Sequence, residues 1–156
     1  MKNNKGFSLV ELIIVIAIMA ILVGVMAPQL IKYIEKTNVS SDTQLCDSVK
    51  TAVTTAMMDP SVINDSNSGI PAANTDHTDP GTGTAFASAF YEIMGKDNMT
   101  QVNGGLKSWN SGTAAVTFRI VGSNSVHVWI SGSDKDGKKG AGSGYANDAA
   151  HWIYVD

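Results

Sequence analysis

A single cysteine, Cys46, in 156 residues rules out an intramolecular disulfide, so an exported domain built from this chain must hold together by other means. Histidine is scarce and scattered: His77, His127 and His151 stand far apart, and no cysteine accompanies two of them at zinc spacing. Basic charge is also in short supply. Eleven Lys and Arg face fourteen Asp and Glu, a formal net charge of −3, which lacks the electrostatic footprint of a nucleic-acid-binding protein. No Ser/His/Asp order, phosphate-binding glycine loop or paired-carboxylate arrangement stands out, and the sequence therefore offers catalysis no machinery.

What the chain does have is one long apolar run. Over residues 7–27 the only polar side chains are Ser8 and Glu11, and at 1.5 Å per residue the run is about 31 Å long, the thickness of a bilayer core. Lys2 and Lys5 precede it, which predicts a cytoplasmic N-terminus and a C-terminal body on the far side of the membrane. A carboxylate at the centre of a spanning segment costs about 2.5–3.5 kcal/mol on insertion scales. Glu11 therefore needs a place near the headgroups or a partner. A removable secretion signal is the alternative, with residues 25–27 as its cleavage site. The length of the run, Glu11 within it and the lack of a break before Pro28 weigh against that alternative.

The stretch GFSLVEL, preceded by Lys2 and Lys5 and followed by the apolar run, resembles the N-terminus of a type IV prepilin. The resemblance covers about the first thirty residues. It implies cleavage after Gly6 by a dedicated membrane peptidase and N-methylation of the new terminus, Phe7. It also implies an assembly role for Glu11, the fifth residue after the cut. Pro28 falls where many pilins carry a helix-bending proline. Loss of residues 1–6 removes Lys2 and Lys5 and takes the side-chain charge from −3 to −5. Many pilins close a C-terminal loop with a disulfide, which this chain cannot do.

Beyond Pro28 the apolar pattern keeps a helical period, with Leu30, Ile31 and Ile34, then Leu45, Cys46, Val49, Val53, Ala56 and Met57 at spacings of three and four. One helix is predicted over residues 7–58, loosened near Gly24 and Pro28, with room for an interruption at 38–41 and a stop at Asp59-Pro60. The expected organisation is a leader at 1–6, a membrane and assembly helix at 7–28, its amphipathic continuation at 29–59 and a globular part at 60–156. Within that part, residues 61–83 read as a long surface loop. Phe86, Phe90, Ile93 and Met94 mark a short helix capped by Gly95. A tight hairpin is expected at 99–109, then strands at 114–121, 125–131 and 151–155. The predicted fold is α+β, a long N-terminal helix packed on an antiparallel sheet.

Two constellations bear on function. A cleaved Phe7 carries a cationic α-amine. In a bundle of such helices Glu11 of one subunit can pair with the amine of a neighbour, each compensating a charge that is costly in apolar surroundings and fixing the axial register. The second is Asp134, Asp136 and Asp148 among glycines, oxygen ligands of the type Ca²⁺ takes. The stretch is similar to the calcium-holding loop of major pseudopilins of type II secretion. The EF-hand pattern is incomplete, however, and Lys135, Lys138 and Lys139 compete for the carboxylates, so a solvated glycine turn is the other reading.

The expectation is a pilus subunit: held in the membrane before assembly, extracellular as a filament after it, a homopolymer with other pilin subunits. The resemblance implies a prepilin peptidase and methylase, an assembly ATPase and a platform membrane protein as partners. The alternatives are a pseudopilin or a minor pilin with an adhesive or DNA-uptake role.

Overall fold

From residue 9 to 58 the chain contains no breaker stronger than Gly24 and Pro28, and its first half has almost no polar side chain to compete with the backbone for hydrogen bonds. In the computed structural model, which describes residues 7–107, 114–122, 125–132 and 154–155, this stretch forms one helix, α1, Leu9–Met58, about 75 Å long. Pro28 lies inside it. The interruption expected at 38–41 does not occur: Val39 packs against the core and Asp42 is buried, and these contacts outweigh the weak helix propensity of Asn38, Ser40 and Ser41. The end comes where Pro60 disfavours helix at the residue before it. Asp59 takes extended geometry, and its carboxylate accepts the Ser61 N–H at 2.8 Å to start α2, Pro60–Ile63.

The chain divides into two units, Met1–Thr37 and Asn38–Asp156. The described part of the first is α1 as far as Thr37, and every residue in it is exposed. Among the described residues the second contains one core. Cys46, Val49, Ala52, Val53 and Ala56 line one face of α1 and meet Phe86 and Phe90 of α3, Ala85–Met94, together with the inner face of a sheet. Burying each side chain of Val or Phe size contributes about 1.5–3 kcal/mol relative to exposure.

Among the described residues the sheet is a four-stranded antiparallel meander of β1, Asp76–His77, β2, Ala115–Val121, β3, Ser125–Ser131, and β4, Tyr154–Val155, in that spatial order. Its register follows the alternation of the two long strands. Val116 lies opposite Ile130, Phe118 opposite Val128 and Ile120 opposite Val126, so three apolar pairs face α1 and α3. The opposite face places Thr117 beside Trp129 and Arg119 beside His127. There the Arg119 guanidinium lies 5.7 Å from the Trp129 ring centroid and forms an ion pair with Asp76 of β1.

Two expectations for this unit are corrected, at residues 99–102 and at 61–83. Residues 99–102 are no strand: α4, Met99–Asn103, starts at Asn98, whose side chain accepts the Gln101 N–H at 3.0 Å. Met99 and Val102, three apart, are both buried, and a helical turn hides both where a strand facing one layer would alternate them. The long loop at 61–83 is not structureless, since it supplies part of α2 and all of β1. In α3 the buried set is Phe86, Ala87, Ala89 and Phe90, while Ile93 is 42% exposed. Gly95 does cap α3, at φ 61°, with the Gly95 and Lys96 N–H groups donating to Glu92 and Tyr91 carbonyls. The second arm of the expected hairpin runs into residues 108–109 and the start of the last strand into 151–153, all outside the described residues.

Candidate functional site

The first turn of α1 is built by its own side chains. Ser8 stands just before the helix, and its carbonyl accepts the Leu12 N–H at 3.2 Å. Three residues on, Glu11 reaches back, and its Oε2 accepts the Ser8 backbone N–H at 2.9 Å. This is the carboxylate half of a capping box. It occupies one donor that the helix leaves without a partner, and it puts a negative charge at the positive end of the helix dipole. Among the described residues the other oxygen, Oε1, carries no hydrogen bond. Phe7, one residue before Ser8, is 82% exposed. An amine at Phe7 would thus stand one residue from an N–H that Glu11 already holds.

The rest of the first unit is a rod without a core. From Leu9 to Ile34 every large apolar side chain is exposed, and the helix contains a stretch long and apolar enough to cross a membrane. So much apolar surface in contact with water is unfavourable at about 25 cal/mol per Å², which calls for lipid or other helices around it. Pro28 has no N–H, so the Gly24 carbonyl one turn earlier lacks its helical donor. A Cβ built on Gly24 meets nothing within 4 Å.

The other expected site residues fall elsewhere. Gly6 lies outside the described residues, as do Asp134, Asp136 and Asp148. Among the described residues no group of three His, Cys, Asp or Glu side chains is placed to hold a metal.

Sequence reading missed Asp42. It is fully buried, and its Oδ1 accepts the Lys107 backbone N–H at 2.8 Å. The signal was present: Asp42 stands one turn before Cys46 on the stripe that continues through Val49, Val53 and Ala56. Burial pushes the Cys46 thiol up to about 12, with the nearby carboxylates of Asp42 and Asp47 adding to the shift. A thiol so placed is neutral and enclosed, the opposite of a reactive cysteine.

Comparison with known proteins adds to this geometry. Residues 1–27 match the family described as the prokaryotic N-terminal methylation motif. A fimbrial protein of Moraxella nonliquefaciens is 44% identical over 55 residues, 35% of this chain and 36% of that protein. Two fimbrial proteins of Pseudomonas aeruginosa are each 39% identical over 59 residues, 38% of this chain and 38% of theirs. The match thus spans little more than a third of the length of these curated relatives. No solved structure matches the chain. The chain carries a type IV pilin N-methylation signal and has fimbrial proteins as homologues, and its fold is α+β and pilin-like, a long apolar-headed helix with an antiparallel sheet.

Proposed function

We propose that the chain is a structural subunit of a type IV pilus rather than an enzyme, cut after Gly6, methylated at Phe7 and polymerised through its N-terminal helix. The observation that carries this reading is the exposed, coreless rod of residues 9–34 behind a methylation motif. Such a rod is stable in lipid, and a polymer replaces its lipid contacts by contacts with other copies. The prepilin peptidase and methylase act on Gly6 and Phe7; the assembly ATPase and platform protein drive extraction from the bilayer. Before assembly the subunit spans the cytoplasmic membrane with its N-terminus inside, and afterwards its sheet-bearing unit is outside the cell. Glu11 pairs with the methylated amine and sets the register of neighbouring rods, using the oxygen that its own cap leaves available. Pro28 gives the helix a place to lengthen as subunits pack.

Mass spectrometry of the N-terminus from cells expressing the full chain, combined with electron microscopy of sheared surface material, tests the reading. A methylated Phe7 and filaments containing the chain are expected. Glu11→Ala should still insert in the membrane but yield at least tenfold fewer filaments, roughly the effect of losing 1.4 kcal/mol per subunit contact. A chain that starts at Pro28 contradicts it, and filaments as abundant with Ala as with Glu at position 11 remove the register role of Glu11.

A further inference from the structure

The two turns of α1 that follow the apolar run belong to neither a membrane core nor the packed core. Residues 29–37 are all exposed and lie in the first unit. They are strongly two-faced. Leu30, Ile31 and Ile34 continue the apolar surface on one side. Gln29, Lys32, Tyr33 and Lys36, at spacings of three, four and seven, form the other. The only carboxylate in the stretch, Glu35, falls beside the apolar side, and among the described residues neither lysine has an ion-pair partner.

We propose that Gln29, Lys32, Tyr33 and Lys36 form a collar that binds the phosphates of anionic phospholipid headgroups and fixes the depth at which the unassembled subunit sits. The inference rests on the membrane-held subunit proposed above. Length carries it first. If residues 7–27 fill the hydrocarbon core, Lys32 stands about 7 Å beyond its edge and Lys36 about 13 Å beyond, while a headgroup layer is about 5–8 Å thick. Direction closes the difference, because side chains on a helix lean toward its N-terminus, here toward the bilayer. Lys36 and Tyr33 therefore reach back to the plane that Lys32 occupies. Chemistry then selects the partner: two ammonium groups that snorkel toward anionic phosphate, a phenol that prefers the wet edge of a bilayer, and an amide donor. Depth matters to assembly, since the same collar holds Glu11, about 31 Å back along the helix from Lys32, about 6 Å inside the opposite edge of the hydrocarbon core until the subunit is withdrawn.

The test uses the full chain in vesicles of equimolar phosphatidylethanolamine and phosphatidylglycerol, with a nitroxide on the introduced thiol of Thr37→Cys; Cys46 is fully buried and escapes the label. Depth is read from collision with oxygen and with a water-soluble nickel chelate. The label should lie just outside the headgroup layer, and Lys32→Glu with Lys36→Glu should move it outward by about half a helical turn, near 3 Å. Lys32→Arg with Lys36→Arg should restore the original depth. Equal depth for the Glu and Lys forms, with both chains still resisting alkaline extraction, overturns the collar and leaves the membrane reading standing. A chain lost on alkaline extraction overturns both. A shift that vanishes when the protein is diluted in lipid assigns the lysines to a second copy of the chain, and that also overturns the collar.

Discussion

The carboxylate of Asp42, fully buried on α1, holds the backbone N–H of Lys107 at 2.8 Å, across a sequence separation of 65. The bond ties the segment leaving α4 to the helix near the edge of the second unit, which begins at Asn38. A buried carboxylate is tolerated only where donors meet it, and a donor left behind without it is costly. Asp42→Ala should therefore lower the unfolding free energy by about 2–3 kcal/mol. Asp42→Asn keeps an acceptor oxygen at nearly the same place and should lose less. Urea titration of the full chain in detergent, followed by tryptophan fluorescence, measures both. Equal loss for Ala and Asn would show that the anchor depends on charge alone.

How far the sequence disclosed this architecture depends on the scale of each signal. Helix α1 was legible because its pattern persists over 50 residues, and β2 and β3 because Val116, Phe118 and Ile120 and their partners alternate cleanly. Gly95 was legible as a cap because a left-handed residue after an apolar stripe is a local requirement. The α4 segment was not: five residues, MTQVN, are too short for a period to distinguish a helical turn from a strand. What decides it is the Asn98 cap and the Asn103 side chain, whose oxygen accepts the Val116 N–H at 2.9 Å from the start of β2. That contact spans thirteen positions and leaves no trace in a local pattern. The same holds for Glu11. Its apolar setting marked it as placed for a task, but its bond to Ser8 depends on the helix starting at Leu9, a boundary that periodicity does not fix.

Gly69 gives a sharper test of the loop that sequence reading left unstructured. It sits at φ 61°, and a Cβ there would lie 2.3 Å from Thr84 Cβ, far inside contact distance. Thr84 cannot retreat, because its hydroxyl caps α3 by accepting the Ala87 N–H at 3.2 Å. Just before Gly69 the Asn67 and Ser68 carbonyls accept the N–H groups of Ala85 and Phe86, which follow Thr84. Gly69→Ala should combine left-handed strain of about 1–3 kcal/mol with the steric overlap. Gly81→Ala is the comparison, at φ 98° with its nearest contact 4.0 Å away, and should carry the backbone strain alone. Thermal melts of the two variants should place Gly69→Ala clearly lower; equal midpoints would mean that Thr84 has room to move.

Cys46 makes the stability of the second unit depend on alkaline pH, with a sign that burial dictates. In the unfolded chain the thiol ionises near its ordinary value of about 8.5; in the folded chain burial first, then Asp42 and Asp47, raise it to about 12. The folded state therefore keeps a proton that the unfolded state gives up. This contribution is fully present below about pH 8.5 and is lost as pH climbs toward 12, by about 1.4 kcal/mol per unit within that window. Other groups titrate there too. Tyr91, raised by its own burial and by Asp79, acts in the same direction, so the quantity to measure is a difference between variants. Cys46→Ala should be less stable than the parent at neutral pH because it leaves a cavity. Its melting temperature should fall less steeply between pH 9 and about 11, so the gap between the two proteins narrows. Ellman's reagent supplies the second reading: at pH 8 the native chain should not react, and the thiol should appear only with the unfolding transition. Prompt labelling of the native protein would show that Cys46 opens to solvent without unfolding, and parallel pH curves for parent and variant would remove the thiol from the alkaline linkage.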